Sequence, residues 1–325
     1  MKDACGRDIN YLRLSITDRC NLRCHYCLPP GGVALRSHAD ILRYEELLTL
    51  MRVAVTLGIV NFRITGGEPL VRRGVVDFIA AAAAIPGVGD LALTSNGQLL
   101  AGMAAPLKAA GLRRVNVSLD TLRPWRYRSL TRGGQLQAVL AGLEAALAAG
   151  LHPVKVNCVV MRGVNDDEMA EFADLSRDRP LHVRFIELMP LGHAAGAGPD
   201  SLVTSAEIRE RLAAAVPVDK AEITGHGPAR YYRLPGAKGT VGFISPMTEH
   251  FCPGCNRLRL SADGRLYPCL AFTSEVDVRG PLRAGATEAE LAGLFRQALT
   301  GKPRGHELGE AYTEAKLRQM SSIGG

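Results

Sequence analysis

The 325-residue chain has no apolar run that approaches the roughly 18 residues indicating a membrane span. Its first residues, MKDACGRD, are charged and lack the apolar stretch and small-residue cleavage site of a secretory signal. Aromatic residues make up only 5% of the chain, with one tryptophan, and no long lysine and arginine run occurs. These absences argue against a membrane protein, a secreted protein and a base-stacking nucleic-acid binder. We expect a cytoplasmic globular protein.

The chain is basic, with a formal charge of +7 and a sequence pI near 9.1. This excess of positive charge favours an anionic partner, such as a nucleotide or a nucleic acid. Alternatively, counterions in the solvent neutralise the charge. Charge alone does not choose among these. At 34.8 kDa and 47% hydrophobic residues, the chain is long enough for one large domain and a smaller one.

Six of the eight cysteines fall into two groups of three. The groups are Cys20, Cys24, Cys27 and Cys252, Cys255, Cys269. In a reducing cytosol such clusters indicate metal binding, whereas isolated cysteines such as Cys5 and Cys158 indicate packing. Neither group has a fourth cysteine nearby, so neither forms a four-thiolate zinc site by itself.

Strand-like and helix-length segments alternate along the first 190 residues. The strands are predicted at residues 11–17, 60–65, 90–96, 113–119, 153–160 and 181–188. This alternation predicts an α/β fold with a parallel sheet, and six units are two short of a closed barrel. We expect a partial (β/α)6 TIM-type barrel over residues 1–195. Residues 196–325, with a helix at 205–214 and a cysteine-bearing hairpin, are expected to form a C-terminal domain that covers the open side.

The first cysteine group follows the first strand, and other unusual motifs follow the next strands. GGEP (66–69), TSNG (94–97) and SLD (118–120) lie at the ends of strands two, three and four. Active sites of parallel α/β proteins lie at this edge of the sheet. Three closely spaced thiolates suit a [4Fe–4S] cluster that keeps one iron open for a small molecule. His25 is an alternative fourth ligand, although it lies on a short turn between two cysteines.

The spacing C-x3-C-x2-C, with Tyr26 before the last cysteine, resembles the signature of radical S-adenosylmethionine enzymes. In that family the methionine part of S-adenosylmethionine occupies the open iron, and reductive cleavage yields a 5'-deoxyadenosyl radical. The resemblance implies that Gly66, Gly67, Glu68 and Pro69 hold the methionine amino group. Adjacent glycines also allow close approach of the backbone to a ligand.

The second cysteine group has the spacing C-x2-C-x13-C. Asp263 and Gly264 predict a hairpin turn that returns Cys269 toward Cys252 and Cys255. Strand alternation puts Cys255, Arg257 and Arg259 on one face, which favours an anion held beside a metal centre. A zinc site with His250 or His306 as the fourth ligand remains an alternative.

This second group, the segment CNRLRL and the terminal Gly-Gly closely resemble the GTP 3',8-cyclase family of molybdenum cofactor biosynthesis, nearly end to end. The resemblance implies a second [4Fe–4S] cluster in the C-terminal domain, abstraction of the ribose 3' hydrogen of GTP, and attack of the carbon radical on C8 of guanine. It implies cofactor contacts at Tyr26, Gly67, Ser118 and Met189. It implies GTP contacts at Arg13, Arg63, Thr94, Lys155, Arg257, Leu258 and Arg259. It also implies a catalytic role for the tail residues Gly324 and Gly325.

Other functions remain open at this point. A radical S-adenosylmethionine enzyme that modifies peptides could also carry an auxiliary cluster, although those enzymes tend to have more C-terminal cysteines. An iron–sulfur electron carrier would not need GGEP, and a zinc-dependent nucleic-acid binder should show aromatic or basic tracts. The family resemblance further implies a reductant such as flavodoxin or ferredoxin, and cyclic pyranopterin monophosphate synthase as the downstream enzyme. The sequence leaves the oligomeric state open, a homodimer included.

Overall fold

A computed structural model describes residues 1–212, 216–218, 223, 227–306 and 308. The strands in these residues are β1 (Tyr11–Ser15), β2 (Asn61–Thr65), β3 (Asp90–Ser95), β4 (Arg114–Ser118), β5 (Val154–Val160), β6 (Leu181–Glu187), β7 (Val216–Val218), β8 (Arg230–Arg233), β9 (Thr240–Ile244), β10 (Arg257–Leu260), β11 (Arg265–Tyr267) and β12 (Val276–Asp277). The helices are α1 (Tyr44–Thr56), α2 (Val75–Ala83), α3 (Leu100–Ala109), α4 (Pro124–Thr131), α5 (Leu136–Ala148), α6 (Met169–Asp174), α7 (Ser205–Arg211), α8 (Arg279–Arg283) and α9 (Glu288–Thr300).

The six strands predicted from the alternation form one parallel run, β1 to β6, in chain order. Each strand pairs in parallel with the next, as Arg13 opposite Arg63 illustrates for β1 and β2. Helices connect successive strands, so the apolar residues on the outer sheet face are covered and the strands are almost wholly buried. The predicted α/β architecture is confirmed.

The C-terminal strands lengthen this sheet at both edges. Strand β9 pairs in parallel with β6, and β10 pairs in parallel with β1. Eight parallel strands therefore stand side by side, and antiparallel strands extend the sheet beyond them to β7 and β12. In the described part of the chain these two outermost strands do not pair, so the barrel is not closed. Strands β10 and β11 form the hairpin predicted at Asp263 and Gly264.

Three helices were not predicted, namely α4, α8 and α9. Helix α9 begins with a capping box, in which Thr287 accepts from the backbone N–H of Glu290 and the Glu290 carboxylate accepts from that of Thr287. Helix α6 begins four residues after Asn165, whose side chain donates to the backbone carbonyls of Asp120 and Val159. The predicted domain division at residue 195 remains a prediction.

None of the helices in the described ranges has the length and apolar character needed to cross a lipid bilayer.

Candidate active site

A cavity of about 350 Å³ opens at the C-terminal ends of the parallel strands. All six clustered cysteines line it. The other predicted site residues that line it are Arg13, Tyr26, Arg63, Gly66, Gly67, Thr94, Ser118, Met189, Arg257 and Arg259. Gly324 and Gly325 lie outside the described residues. The fold thus brings together residues that are separated by more than 200 positions in the sequence.

The first cysteine group lies on a tight turn after β1. The backbone N–H groups of Cys27 and Leu28 donate to the Cys24 carbonyl at 2.9 and 3.0 Å. Burial, and then the nearby charges of Asp120 and the other two cysteines, raise the pKa of Cys24 well above its usual value. Three thiols that influence one another in this way form a soft donor set suited to an iron–sulfur cluster. His25 is exposed and does not line the cavity.

The GGEP segment packs directly on the backbone of the cysteine loop. The N–H of Gly67 donates to the Thr17 carbonyl at 2.8 Å, and that of Glu68 donates to the Arg19 carbonyl at 2.8 Å. A Cβ at Gly66, whose φ is +153°, would lie 2.6 Å from the Thr17 carbonyl oxygen. Packing alone therefore requires glycine at both positions, independently of any ligand, because a Cβ at either one would clash with the backbone of the cysteine loop.

The Glu68 side chain is fully buried and does not itself line the cavity. Its carboxylate accepts from Ser95 Oγ at 2.9 Å, from the Asn96 N–H at 2.6 Å and from the Leu70 N–H at 3.0 Å. Burial raises the pKa of Glu68 to about 7 despite these bonds. Its observed contacts fasten the end of β2 to the end of β3. Pro69 likewise does not line the cavity.

Asp120 lines the cavity beside the first cysteine group, although it was not predicted as a site residue. It accepts from the Tyr26 hydroxyl at 2.8 Å and from the Val159 N–H at 2.9 Å. Burial raises the pKa of Asp120 to about 6. The SLD motif at the strand end was the signal that could have identified it.

The second cysteine group has a cationic environment. Cys252 begins a short 3-10 turn, and the Lys302 ammonium lies 3.6 Å from Cys255 Sγ. Burial opposes ionisation of Cys255, yet Arg257 and Lys302 lower its pKa to about 7. Lys302 is itself fixed by the carbonyls of Arg257 and Pro268, at 2.7 Å each. These three thiols are a second donor set that fits an iron–sulfur cluster.

Two histidines approach the second cysteine group. The rings of His250 and His306 are 4.7 Å apart, and ligand atoms of both lie within 4.8 Å of each other and of Cys252 Sγ. A zinc site that includes these histidines is therefore compatible with the geometry.

Five arginines line the part of the cavity wall beneath the cysteines, namely Arg13, Arg63, Arg184, Arg257 and Arg259. Burial and mutual repulsion lower the pKa of Arg13 and Arg63, and lower those of Arg184 and Arg259 to about 10. Arg63 donates to the Tyr11 hydroxyl and to Thr94 Oγ1. A bound polyanion would relieve this concentration of buried positive charge.

Two predicted substrate residues lie behind the wall of the cavity. Lys155 is 2% exposed, and its ammonium lies 5.5 Å from the centroid of the Tyr231 ring. Burial, and then Arg184 and Arg114, lower the pKa of Lys155 to about 5. The Leu258 side chain belongs to the hydrophobic core. Their contacts with substrate remain predictions.

Sequence reasoning missed Arg184 and Lys302 as cavity residues. Arg184 alternates with the apolar residues Val183 and Phe185 in β6, a pattern by which it could have been found. Lys302 had no comparable signal, because it follows α9 and reaches Cys255 only through tertiary packing.

Two family models match the chain. The Radical SAM superfamily model matches residues 14–176, and the Molybdenum Cofactor Synthesis C model matches residues 181–308. Among solved structures, Streptococcus suis SuiB superposes with a TM-score of 0.60 at 13% identity, covering 89% of this chain and 68% of that one. SuiB bound to S-adenosylmethionine superposes with a TM-score of 0.57 at 14% identity, with the same coverage. The fold and the cysteine-lined cavity define a radical S-adenosylmethionine enzyme.

Curated relatives show to which family within this class the chain belongs. GTP 3',8-cyclase of Moorella thermoacetica is 53% identical over 326 residues, and that of Heliobacterium modesticaldum is 53% identical over 327 residues. Both alignments cover 100% of this chain and of the relative. The chain belongs to the GTP 3',8-cyclase family.

Proposed function

We propose that this protein is the radical S-adenosylmethionine GTP 3',8-cyclase of molybdenum cofactor biosynthesis. The reaction abstracts the ribose 3' hydrogen of GTP and joins the resulting carbon radical to C8 of guanine. One observation carries the proposal: two separate cysteine groups face one cavity whose wall holds five arginines, of which Arg63, Arg184 and Arg259 are buried.

Cys20, Cys24 and Cys27 would hold the first [4Fe–4S] cluster, since their thiols converge on the cavity. Bound there, the cluster supplies the electron that cleaves S-adenosylmethionine to the 5'-deoxyadenosyl radical. Tyr26, Ser118 and Met189 line the neighbouring wall and would bind the cofactor. The carboxyl of Asp120, held by Tyr26, places negative charge where a cationic sulfonium and ammonium would bind.

Cys252, Cys255 and Cys269 would hold a second [4Fe–4S] cluster, with GTP between the two centres. The arginines beneath would bind the triphosphate through charge-assisted hydrogen bonds, and Thr94 lies within 3.5 Å of Arg63 Nη1. Holding both reactants in one enclosed cavity is how the protein would orient the ribose 3' carbon toward the radical.

The remaining parts of the proposal come from the family resemblance. Gly324 and Gly325 would enter the active site and orient its groups. Cyclic pyranopterin monophosphate synthase would use the product, and flavodoxin or ferredoxin would supply electrons. We further propose a cytoplasmic protein, with the homodimer as the state to test.

A peptide-modifying radical enzyme is not favoured. SuiB has been solved bound to its precursor peptide SuiA, but that structure is 14% identical and shares only the fold. Eight curated relatives at 46–53% identity are named GTP 3',8-cyclase.

The proposed activity is tested by incubating anaerobically reconstituted protein with dithionite, S-adenosylmethionine and GTP. We expect 5'-deoxyadenosine, a cyclised nucleotide and about eight irons per chain, the content of two four-iron clusters. Cleavage of S-adenosylmethionine with GTP recovered intact would contradict the proposal that GTP is the substrate. About four irons together with zinc would contradict the second cluster.

A further inference from the structure

Two segments that contact each other at the first cysteine group carry no acidic residue. Residues 19–38 contain three arginines and two histidines, and residues 123–135 contain four arginines. The two segments meet in the fold: the Arg23 N–H donates to the Thr131 carbonyl at 3.1 Å, and that of His25 donates to the Leu130 carbonyl at 2.9 Å. The end of α4 therefore packs against the cysteine loop.

Arg132 joins the two segments more tightly. It follows α4 in a left-handed conformation, with φ 54° and ψ 51°, which non-glycine residues rarely adopt. From this position its guanidinium donates to the carbonyls of Arg23 and Leu28, at 2.9 and 2.7 Å. The hydrogen bonds of a cation therefore hold the backbone immediately beside the cysteines.

Some of the arginines in these segments are neutralised by carboxylates and others are not. Arg36 pairs with Asp263 at 2.9 Å, and Arg126 pairs with Asp167 at 2.6 Å. Among carboxylates of the described ranges, none lies within 4.0 Å of the guanidinium nitrogens of Arg23 or Arg128, and both arginines are exposed. We define the cationic face as Arg19, Arg23, Arg128 and Arg132.

This inference rests on the proposed function, which requires one electron from outside for each cofactor cleaved. We propose that the cationic face docks an acidic one-electron carrier protein. The reduced carrier loses one electron and the cluster held by Cys20, Cys24 and Cys27 gains it. Docking here brings the carrier to the loop that holds the accepting cluster, and the opposite charges would steer the encounter.

The neighbouring surface offers an anchor for a protein partner. Trp125, the single tryptophan, is 69% exposed at the start of α4, and the Arg126 guanidinium lies 5.2 Å from the centroid of its ring. Tryptophan and arginine are the residues most enriched among the energetically dominant contacts of protein interfaces. A nucleic acid is the alternative anionic partner, and the experiment distinguishes it.

The test uses the reconstituted full-length enzyme and a purified acidic flavodoxin as the probe. In Arg23→Glu/Arg128→Glu, we expect binding of flavodoxin, measured anaerobically by biolayer interferometry, to weaken by about tenfold or more. In the wild type, raising salt from 50 to 300 mM should weaken binding in the same direction. Formation of 5'-deoxyadenosine should fall with flavodoxin as the reductant and stay unchanged with dithionite.

Arg296→Glu is the matched control, because Arg296 is an exposed arginine on α9, which packs on α1, β11 and β12. It should bind flavodoxin like the wild type. If the double variant assembles less of the first cluster, Arg128→Glu alone, outside the cysteine loop, is measured instead.

Equal flavodoxin affinity in the wild type, the face variant and Arg296→Glu would overturn the docking proposal. So would an equal loss of affinity for a 20-nucleotide single-stranded DNA, which would show a general polyanion surface. Failure of wild-type enzyme to cleave the cofactor with dithionite would instead contradict the proposed function.

Discussion

The two cysteine groups offer the same ligands in opposite electrostatic environments. Around the first group stand the carboxyls of Asp120 and Glu68, and the pKa values of Cys20 and Cys24 are raised, first by burial and further by these acids. Beside the second group stand Arg257 and Lys302, and these cations lower the pKa of Cys255 to about 7, although burial raises the pKa of Cys252 in the same group. The difference shows how one cavity can bind a cationic cofactor at one end and an anionic nucleotide at the other.

The largest effects are expected from removing one thiol of each group. Cys24→Ser should abolish formation of 5'-deoxyadenosine while GTP binding persists, because the radical is generated only at the first group. Cys255→Ser should retain some cofactor cleavage and lose the cyclised nucleotide. Chromatographic assay of both products together with equilibrium binding of GTP checks this. If Cys24→Ser still cleaves the cofactor, the roles assigned to the two groups are wrong.

A smaller effect is expected from removing the arginines beside the second cysteine group. Arg257→Ala or Arg259→Ala should weaken GTP binding by about 1–3 kcal/mol, the range for charge-assisted hydrogen bonds. Guanosine, which has no phosphates, should bind the variants and the wild type alike in calorimetry. Equal losses for GTP and guanosine would point to a base contact or a folding defect instead.

The role of the negative charge beside the first cysteine group can be tested with two ligands that differ in charge. Asp120→Asn keeps one oxygen that can accept from the Val159 N–H and offers an amide N–H to the Tyr26 hydroxyl oxygen, but it removes the carboxylate. We expect about three- to tenfold weaker binding of S-adenosylmethionine, from the loss of one partly screened attraction. S-adenosylhomocysteine, which lacks the sulfonium charge, should lose much less. A parallel loss for both ligands would show that Asp120 only shapes the cavity.

The smallest effect concerns the contact between the two halves of the chain, away from both groups. Glu46 on α1 accepts from Arg283 on α8 at 2.7 and 3.0 Å, and this pairing, against the opposing effect of burial, lowers the pKa of Glu46 to about 2. A depressed pKa stabilises the fold above pH 4.5, and this contribution is lost as pH falls from 4.5 toward 2. Glu46→Gln should lower stability by about 1 kcal/mol at pH 7, after allowance for partial exposure of Arg283.

Urea unfolding of the apoprotein between pH 3.5 and 7 measures this contribution. The difference between wild type and Glu46→Gln should shrink toward the acid end of the range. A constant difference would indicate that packing, and not the charge of Glu46, holds α8 to α1.

Much of the barrel half could be predicted because its signals are local. The six parallel strands lie within one or two residues of their predicted bounds, since alternating polarity and flanking helices specify them. The same locality placed Cys20, Gly67 and Ser118 at one edge of the sheet. The two cysteine groups and GGEP carried the prediction of the site.

The parts of the fold and of the site that were not predicted depend on packing between residues far apart in the sequence. The sequence gives no sign that β10 pairs with β1 or β9 with β6, because these partners are far apart in the chain. Lys155 follows the same alternation as Arg13, yet the cavity ends above it. Helix α9 is different: the pattern T-x-x-E at Thr287 is a helix-start signal that could have revealed it.

The placement of β9 and β10 also bears on how the chain reaches its fold during synthesis. Strands β1 and β6 are edge strands of the first-half sheet until residues 240–260 have been made. Unpaired strand edges promote association with other chains, so a fragment ending near residue 195 exposes two such edges at once. The C-terminal strands β9 and β10 therefore cover both edges, and we expect a fragment without them to aggregate more readily than the full chain.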